Sequence, residues 1–341
     1  MKHLSKTSDS PELSIIIVNW NGERFLDNCL QSLANQSYRD FEVVLVDNAS
    51  IDNSVAAARE VSDRLGLDVK FIALPENKGF TGGNIEGLKH ASGKFIALLN
   101  PDTEADSRWL EELVKAMNSR PDVGIVASKL IVHNTDIIDT AGDGFSSLLK
   151  GFKRGEGENA SLHNRREYIF GACAGAALYR KEMLDEIGFL DDDFFLIHED
   201  TDLNLRAHLA GWKVLYAPTA IVYHKVRSLI GYMSDTAVYY TIRNKEFVII
   251  KNIAIPVLLR CLPILVLGVI TEFFYFAVRH RRPVLYFKAK LDALKMFPPM
   301  LKKRRAIMRA KKAKYRDLMA IMTSVFEKSF FKSKLRKLLY D

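Results

Sequence analysis

Phe95-Ile96-Ala97-Leu98-Leu99-Asn100-Pro101-Asp102-Thr103 is the stretch that decides how this chain is read. An apolar run that stops abruptly in a carboxylate predicts a buried strand, and in open α/β sheets ligands bind at the carboxyl ends of such strands. Asp102 there implies a need for negative oxygen ligands, for which a divalent metal carrying a diphosphate is the natural candidate. The bland alternative is a plain turn at 100–103, with Asp102 capping a helix that begins near Ser107.

The flanking sequence repeats the theme. Short apolar runs alternate with helix-length polar segments through the first 130 residues, the signature of βαβ units and a parallel sheet. Strands are predicted at 13–19, 41–47, 69–74, 94–99 and 123–130, with helices near 24–34, 53–65, 82–90 and 107–118. Between 134 and 166 Gly, Asp, Asn and charge dominate, which predicts a long mobile loop or hairpin of the kind that serves as a lid or acceptor-binding loop. A helix at 180–187, a helix ending at Ala210 and closed by Gly211, and late strands at 213–217 and 220–223 complete the expected order.

Several strands deliver polar groups to one edge. The first breaks into Asn19-Trp20-Asn21-Gly22 without the G-x-G-x-x-G of dinucleotide binders, so an NAD enzyme is not expected. The second ends in Asp47, which either accepts hydrogen bonds from a base or ribose or caps the next helix. Asn77-Lys78-Gly79-Phe80-Thr81-Gly82-Gly83-Asn84 follows the third. Its backbone N–H groups and Lys78 would suit phosphate, while a structural turn explains the glycines equally well.

Further on, His198-Glu199-Asp200-Thr201-Asp202 places three carboxylates at a helix start. Asp202 reads as helix support. Glu199 and Asp200 are the candidates for a general base, because crowding and burial raise a carboxyl pKa toward the working range. Arg206, one turn on, would pair with them or with phosphate. His224 ends the last strand, and with Asp102 it would complete a mixed nitrogen and oxygen site suited to Mn²⁺ or Mg²⁺.

At 341 residues with 48% hydrophobic content the chain has room for one large domain and an appendage. Cys29, Cys173 and Cys261 are widely separated and lack metal-type spacing, so neither a disulfide framework nor a zinc site is expected, and a reducing cytoplasm fits. Residues 1–12 read as a polar tail without a secretory leader.

The net charge of +8 conceals an asymmetry: 279–341 holds 20 Lys and Arg against 4 Asp and Glu, so 1–278 is net acidic. Residues 253–278 are the most hydrophobic part, but Arg260 and Glu272 interrupt them. A helix pair lying in or dipping into one leaflet is expected. Arg279, Arg281, Arg282 and Lys302-Lys303-Arg304-Arg305 would meet anionic headgroups. A buried helical hairpin with a solvated basic tail is the alternative; no base-reading module suggests nucleic acid.

Taken together, 14–21, 46–50, 77–84, 98–103, 198–200 and His224 resemble the family 2 glycosyltransferases of the GT-A fold, most closely the bacterial rhamnosyltransferase-like members. The resemblance covers roughly 13–250. It implies an α/β fold with a Rossmann-like, mostly parallel sheet flanked by helices. Residues 13–131 would form the nucleotide-binding half, 132–250 the acceptor and catalytic half, and 251–341 a hydrophobic and basic helical extension.

The resemblance further implies that Asp47 holds the base of a nucleoside diphosphate sugar, that Asp102 is the metal-binding end of a D-x-D motif, and that Asp200 is the base of an inverting transfer. The first Asp of that motif is here Asn100, which removes one charge. A lipid-linked or polysaccharide acceptor at the cytoplasmic face of the membrane would follow. The competing readings are a catalytically silent nucleotide-sugar or lipid-binding scaffold and a nucleotidyltransferase. The latter is disfavoured because no triphosphate loop follows the first strand.

Overall fold

The computed structural model describes residues 10–226, 231, 233–327 and 330. Its strands and helices run β1 (Leu13–Asn19), α1 (Glu23–Ala34), β2 (Phe41–Asp47), α2 (Ser54–Leu65), β3 (Val69–Ala73), α3 (Gly79–Leu88), β4 (Phe95–Leu99), β5 (Thr103–Ala105), α4 (Trp109–Met117) and β6 (Val123–Val132). Then follow β7 (Ile138–Thr140), β8 (Asp143–Ser146), β9 (Gly151–Lys153), β10 (Glu167–Ile169), β11 (Ala176–Arg180), α5 (Lys181–Ile187), α6 (Glu199–Ala210) and β12 (Lys213–His224). The C-terminal elements are α7 (Asp235–Asn252), α8 (Ile255–Phe273), α9 (Pro283–Lys295), α10 (Phe297–Ala310), α11 (Tyr315–Ala320) and β13 (Met322–Thr323).

The main sheet has the order β10-β12-β6-β11-β4-β1-β2-β3, with β5 on β12 and β7 on β6. Strands β1 to β4 pair in parallel and β12 is parallel to β6, while β11 runs antiparallel between β4 and β6. Parallel strands buried on both faces need continuous apolar runs, and β1 and β4 supply them. Ile15, Ile17, Ala97 and Leu99 join the core under α1, α2 and α4, whereas Ile16, Ile96 and Leu98 join the core on the opposite face.

Three expectations change. Of the loop or hairpin expected at 134–166, the hairpin alternative is present, since β8 pairs antiparallel with β9; what changes is that β8 also pairs, across the chain, with β13 to form a second sheet. The two late strands are one strand, β12, whose register shifts between Tyr216 and Ile221. The hydrophobic segment is one helix, not a pair: α8 continues through a π-helical turn, Phe274–Arg279, and this 25-residue stretch is long and apolar enough to cross a membrane.

The C-terminal region packs against the rest of the chain. Val257 and Cys261 of α8 join Phe247, Val248 and Leu205 in a common core, and Glu272 is bound by Lys245 and lies 3.8 Å from Lys290. Two of the four clustered basic residues turn inward. Lys303 pairs with Asp191 and Asp193, and Arg304 donates to the carbonyls of Ile250 and Ile253. Lys302 and Arg305 remain exposed. Much of the basic tail, 331–341, lies outside the described residues.

Candidate active site

β1 and β2 end side by side, with Asn19 paired in register to Asp47. Asp47 is buried. Its Oδ1 accepts from Asn19 Nδ2 at 3.3 Å and its Oδ2 from the Ser50 amide at 3.1 Å. Because α2 starts only at Ser54, Asp47 is not its N-cap. Asn21 serves the same junction: its amide donates to Ser50 Oγ and its Oδ1 accepts from the Ile51 amide. The Trp20 ring is 43% exposed beside them, a free aromatic face at the strand edge.

The glycine turn is built for close packing more than for anion binding. Asn48 Nδ2 donates to Asn77 Oδ1 and to the Gly79 carbonyl, and the Lys78 amide donates back to Asn48 Oδ1. Gly79 has φ +70°, and a Cβ there would stand 2.5 Å from the Phe195 carbonyl oxygen. A Cβ on Gly83 would stand 2.5 Å from Val18 Cγ1, so this glycine lets α3 lie directly on β1. Asn84 is buried and donates to the Phe80 carbonyl within its own helix. Gly83 and Asn84 are thus withdrawn from a phosphate cradle; Asn77 is exposed and Lys78 half-buried at the edge.

At the end of β4 the Asn100 amide donates to the Gly175 carbonyl, and Asp102 follows nearly buried. β12 brings His224 alongside Thr103. His224 Nδ1 lies 2.9 Å from Asp139 Oδ2, and Nε2 lies 3.6 Å from Asp102 Oδ1. That Asp102 oxygen is buried with no hydrogen-bond partner. Lys153 Nζ holds the other Asp139 oxygen at 2.6 Å. Burial opposes a charge on His224, but the adjacent carboxylates of Asp102 and Asp139, the latter hydrogen-bonded to Nδ1, outweigh it and raise its pKa to about 9.

These residues fit a divalent ion. A histidine whose one nitrogen is held by a carboxylate presents the other to a metal, and an orphaned carboxylate oxygen faces the same point. Among the described residues no cluster of three His, Cys, Asp or Glu encloses an ion. Two protein ligands suit Mn²⁺ or Mg²⁺, because such ions take much of their coordination from substrate phosphates.

The α6 carboxylates divide in role. Glu199 is 7% exposed with Oε2 unpartnered, and burial together with Asp200 raises its pKa to about 8. Asp200 is more open; its Oδ1 accepts from the Thr201 amide at 2.6 Å. Burial lifts its pKa too, against hydrogen bonds from Thr201 and Ala174 and the charge of Lys153. Arg206 is turned away from the site. Its guanidinium binds Asp202 and the carbonyls of Ile187, Gly188 and Phe189, which removes it from any phosphate contact.

Asp139, Asp143 and Lys153, from the small strands β7, β8 and β9, were not singled out by sequence. Asp143 accepts from Thr140 Oγ1 at 3.3 Å, and burial followed by Asp200 raises its pKa well above the usual range. The dense Asp and Gly content of 136–144 was the available signal.

Comparison with known proteins bears on the fold and the family. Over 221 residues the chain is 24% identical to the poly-beta-1,6-N-acetyl-D-glucosamine synthase of Staphylococcus epidermidis, covering 64% of this chain and 51% of that one. It is 23% identical over 232 residues to the putative glycosyltransferase EpsH of Bacillus subtilis, covering 64% and 62%. The chain therefore spans about half the length of the first of these relatives.

Among solved structures, S. aureus TarS 1-349 in complex with UDP superposes with a TM-score of 0.55 at 18% identity, covering 88% of this chain and 90% of that one. The mannosyltransferase PcManGT of Pyrobaculum calidifontis, in complex with GDP-Man and Mn²⁺, gives 0.54 at 17%, covering 89% and 86%. These likenesses establish the fold. The profile of "Glycosyl transferase family 2" matches residues 14–188, just over half the chain, and the protein belongs to that family.

Proposed function

We propose that this chain is an inverting, metal-dependent transferase. It would move a sugar from a nucleoside diphosphate to a hydroxyl of a lipid-linked or polysaccharide acceptor in cell-envelope synthesis. The observation that supports this most is the approach of Asp102 and His224, 3.6 Å apart, with Asp139 on the other side of the imidazole and Lys153 linking Asp139 to the charge environment of Asp200. The nearby Asp47 and Trp20 would hold the base, and Asn77, Lys78 and Asn100 would line the path to the diphosphate.

When bound at Asp102 and His224, a divalent ion supplies Lewis-acid neutralisation of charge on the leaving diphosphate. Asp200 accepts the proton of the acceptor hydroxyl as that oxygen attacks the anomeric carbon from the face opposite the leaving group. Glu199, buried and neutral near pH 7, holds its proton and so spares Asp200 a second negative neighbour. Asp139 keeps the imidazole of His224 oriented.

The domain division proposed is 13–250 for transfer and 251–341 for attachment. Leu259 and Leu267 of α8, Phe274 of the π-helical turn and Phe287 and Leu291 of α9 are each exposed, as are Arg279 and Arg281 in the sequence between α8 and α9. An apolar face edged by cations fits an anionic membrane surface, which supports attachment at the cytoplasmic face. One relative is named for N-acetyl-D-glucosamine and one structural neighbour for mannose, and the sequence resemblance points to rhamnose; all three belong in the assay.

The test is release of nucleoside diphosphate from UDP-GlcNAc, GDP-mannose and dTDP-rhamnose with Mn²⁺ or Mg²⁺ and membrane extract, with the product's anomeric configuration read by NMR. Metal-dependent turnover of one donor with inversion is expected. Retention of configuration contradicts the mechanism, and binding without release across the panel contradicts the activity.

A further inference from the structure

The loop that delivers Glu199 and Asp200 is held in an unfavourable conformation. Phe195, Ile197 and His198 have φ of 64°, 67° and 72°. This left-handed region is disfavoured by any Cβ and is a genuine outlier for a β-branched residue such as Ile197. No glycine occurs between Gly188 and Gly211 to relieve it. Backbone strain of this kind persists only where the surroundings over-determine it.

One side chain of α7 provides most of that constraint. Asn244 is fully buried, and its Nδ2 lies 2.8 Å from each of the carbonyl oxygens of Phe194, Leu196 and Ile197. The remaining carbonyl, that of Phe195, accepts from the Thr81 amide at 3.0 Å and from Thr81 Oγ1 at 3.2 Å. Asn244 Oδ1 accepts from Arg243 Nε at 2.9 Å, which fixes the amide's orientation, and the Arg243 Nη2 donates to the carbonyls of Asp193 and Phe194. The Phe195 ring stacks on Tyr240, one turn earlier on α7, at 5.2 Å. Asparagine is a poor residue for a helix interior, so helix formation gives no reason for Asn244. Its acceptors all lie on the segment that precedes the carboxylates.

We infer that Asn244 is a positioning residue for transfer: it pins the strained loop 194–197 and thereby sets where the Asp200 carboxylate stands relative to the donor. This rests on the reading of Asp200 as the base. It also links α7, and through α7 the C-terminal helices, to the turn at Gly79–Thr81 by way of Phe195.

The test is Asn244→Ser in the full chain. Transfer is assayed with Mn²⁺, membrane extract and whichever of UDP-GlcNAc, GDP-mannose and dTDP-rhamnose the wild type uses, and affinity for the matching free nucleoside diphosphate is measured by calorimetry. A fall in kcat of about 10²-fold is expected, the scale of loss from a misplacement of about 1 Å, with nucleotide affinity held within about threefold. Adding Ile197→Gly, which tolerates positive φ, should recover about tenfold in kcat.

A kcat within about threefold of wild type, a matching loss of nucleotide affinity, or no recovery from Ile197→Gly overturns the inference. Should Asn244→Ser alone not fold, the double variant is compared with Ile197→Gly. A kcat at least about tenfold lower with equal nucleotide affinity is then expected, and equal kcat overturns the role. Asp200→Asn is run in parallel. Wild-type turnover in that variant defeats the base assignment itself, whereas an inactive Asp200→Asn beside a fully active Asn244→Ser defeats the positioning role alone.

Discussion

The imidazole Nδ1 of His224 lies 2.9 Å from Oδ2 of Asp139, and this contact directs the ring's other nitrogen toward Asp102. On the proposed reading of His224 as a metal ligand, Asp139 would orient that ligand through its other nitrogen. Removing such a partner typically costs 10- to 100-fold in metal affinity. Asp139→Asn should weaken Mn²⁺ binding by about that factor, read from the paramagnetic signal of free Mn²⁺. Unchanged affinity would show that His224 does not ligate.

Glu199 gives the pH prediction. Its folded pKa of about 8 lies above the ordinary glutamate value of 4.5, so between those values the folded chain keeps a proton that the unfolded chain has lost. Stability therefore falls as pH rises through this window, by at most about 1.4 kcal/mol per unit for this group. Glu199→Gln copies the neutral carboxyl. Thermal melts should show a flatter loss of stability from pH 5 to 8, with the variant at least as stable as wild type at pH 8. A variant less stable at pH 8 contradicts the neutral Glu199.

Lys251 is the cation of a buried network, bound to Asp191 and 2.8 Å from the fully buried Asp202. The pair Asp202 and Arg206, at 2.8 Å, completes it. Breaking a buried pair leaves an uncompensated charge, which costs about 3–5 kcal/mol. Lys251→Met should lower stability on that scale in a denaturant titration. A loss under about 1 kcal/mol would be the behaviour of a surface pair.

How much of this was legible in sequence depends on element length. β1, β2 and β4 announce themselves because strands buried on both faces need uninterrupted apolar runs. Asp102 and His224 could be placed at the edge because each closes such a run. β7, β8 and β9 have 3, 4 and 3 residues, too short for any periodicity, so Asp139, Asp143 and Lys153 stayed hidden.

Pro218 lies in the interior of β12, between the two stretches that read as separate strands. The register shift between Tyr216 and Ile221 accommodates it at an irregularity, where a missing N–H need not break the ladder. Arg206 and Lys303 were misplaced for another reason. Their partners, the carbonyls at the C-terminal end of α5 and just beyond it and the carboxylates of Asp191 and Asp193, are set by tertiary packing that local sequence does not encode.

The exposed apolar face of α8 and α9 yields a membrane prediction. Burying one large apolar side chain is worth about 1.5–3 kcal/mol, so Leu267→Glu with Phe287→Glu should reduce binding to phosphatidylglycerol vesicles by more than about tenfold. Cosedimentation measures it. Equal binding by the double variant would remove this face from the attachment surface.

The central claim rests on Asp200. Its most direct test compares wild type with Asp200→Asn in two measurements: metal-dependent transfer to membrane acceptor, and affinity for the donor's nucleoside diphosphate. A general base contributes about 10²- to 10⁴-fold, so kcat should fall by that factor while nucleotide affinity stays within about threefold. Turnover near the wild-type rate, or a loss of nucleotide affinity equal to the loss of kcat, would contradict the account.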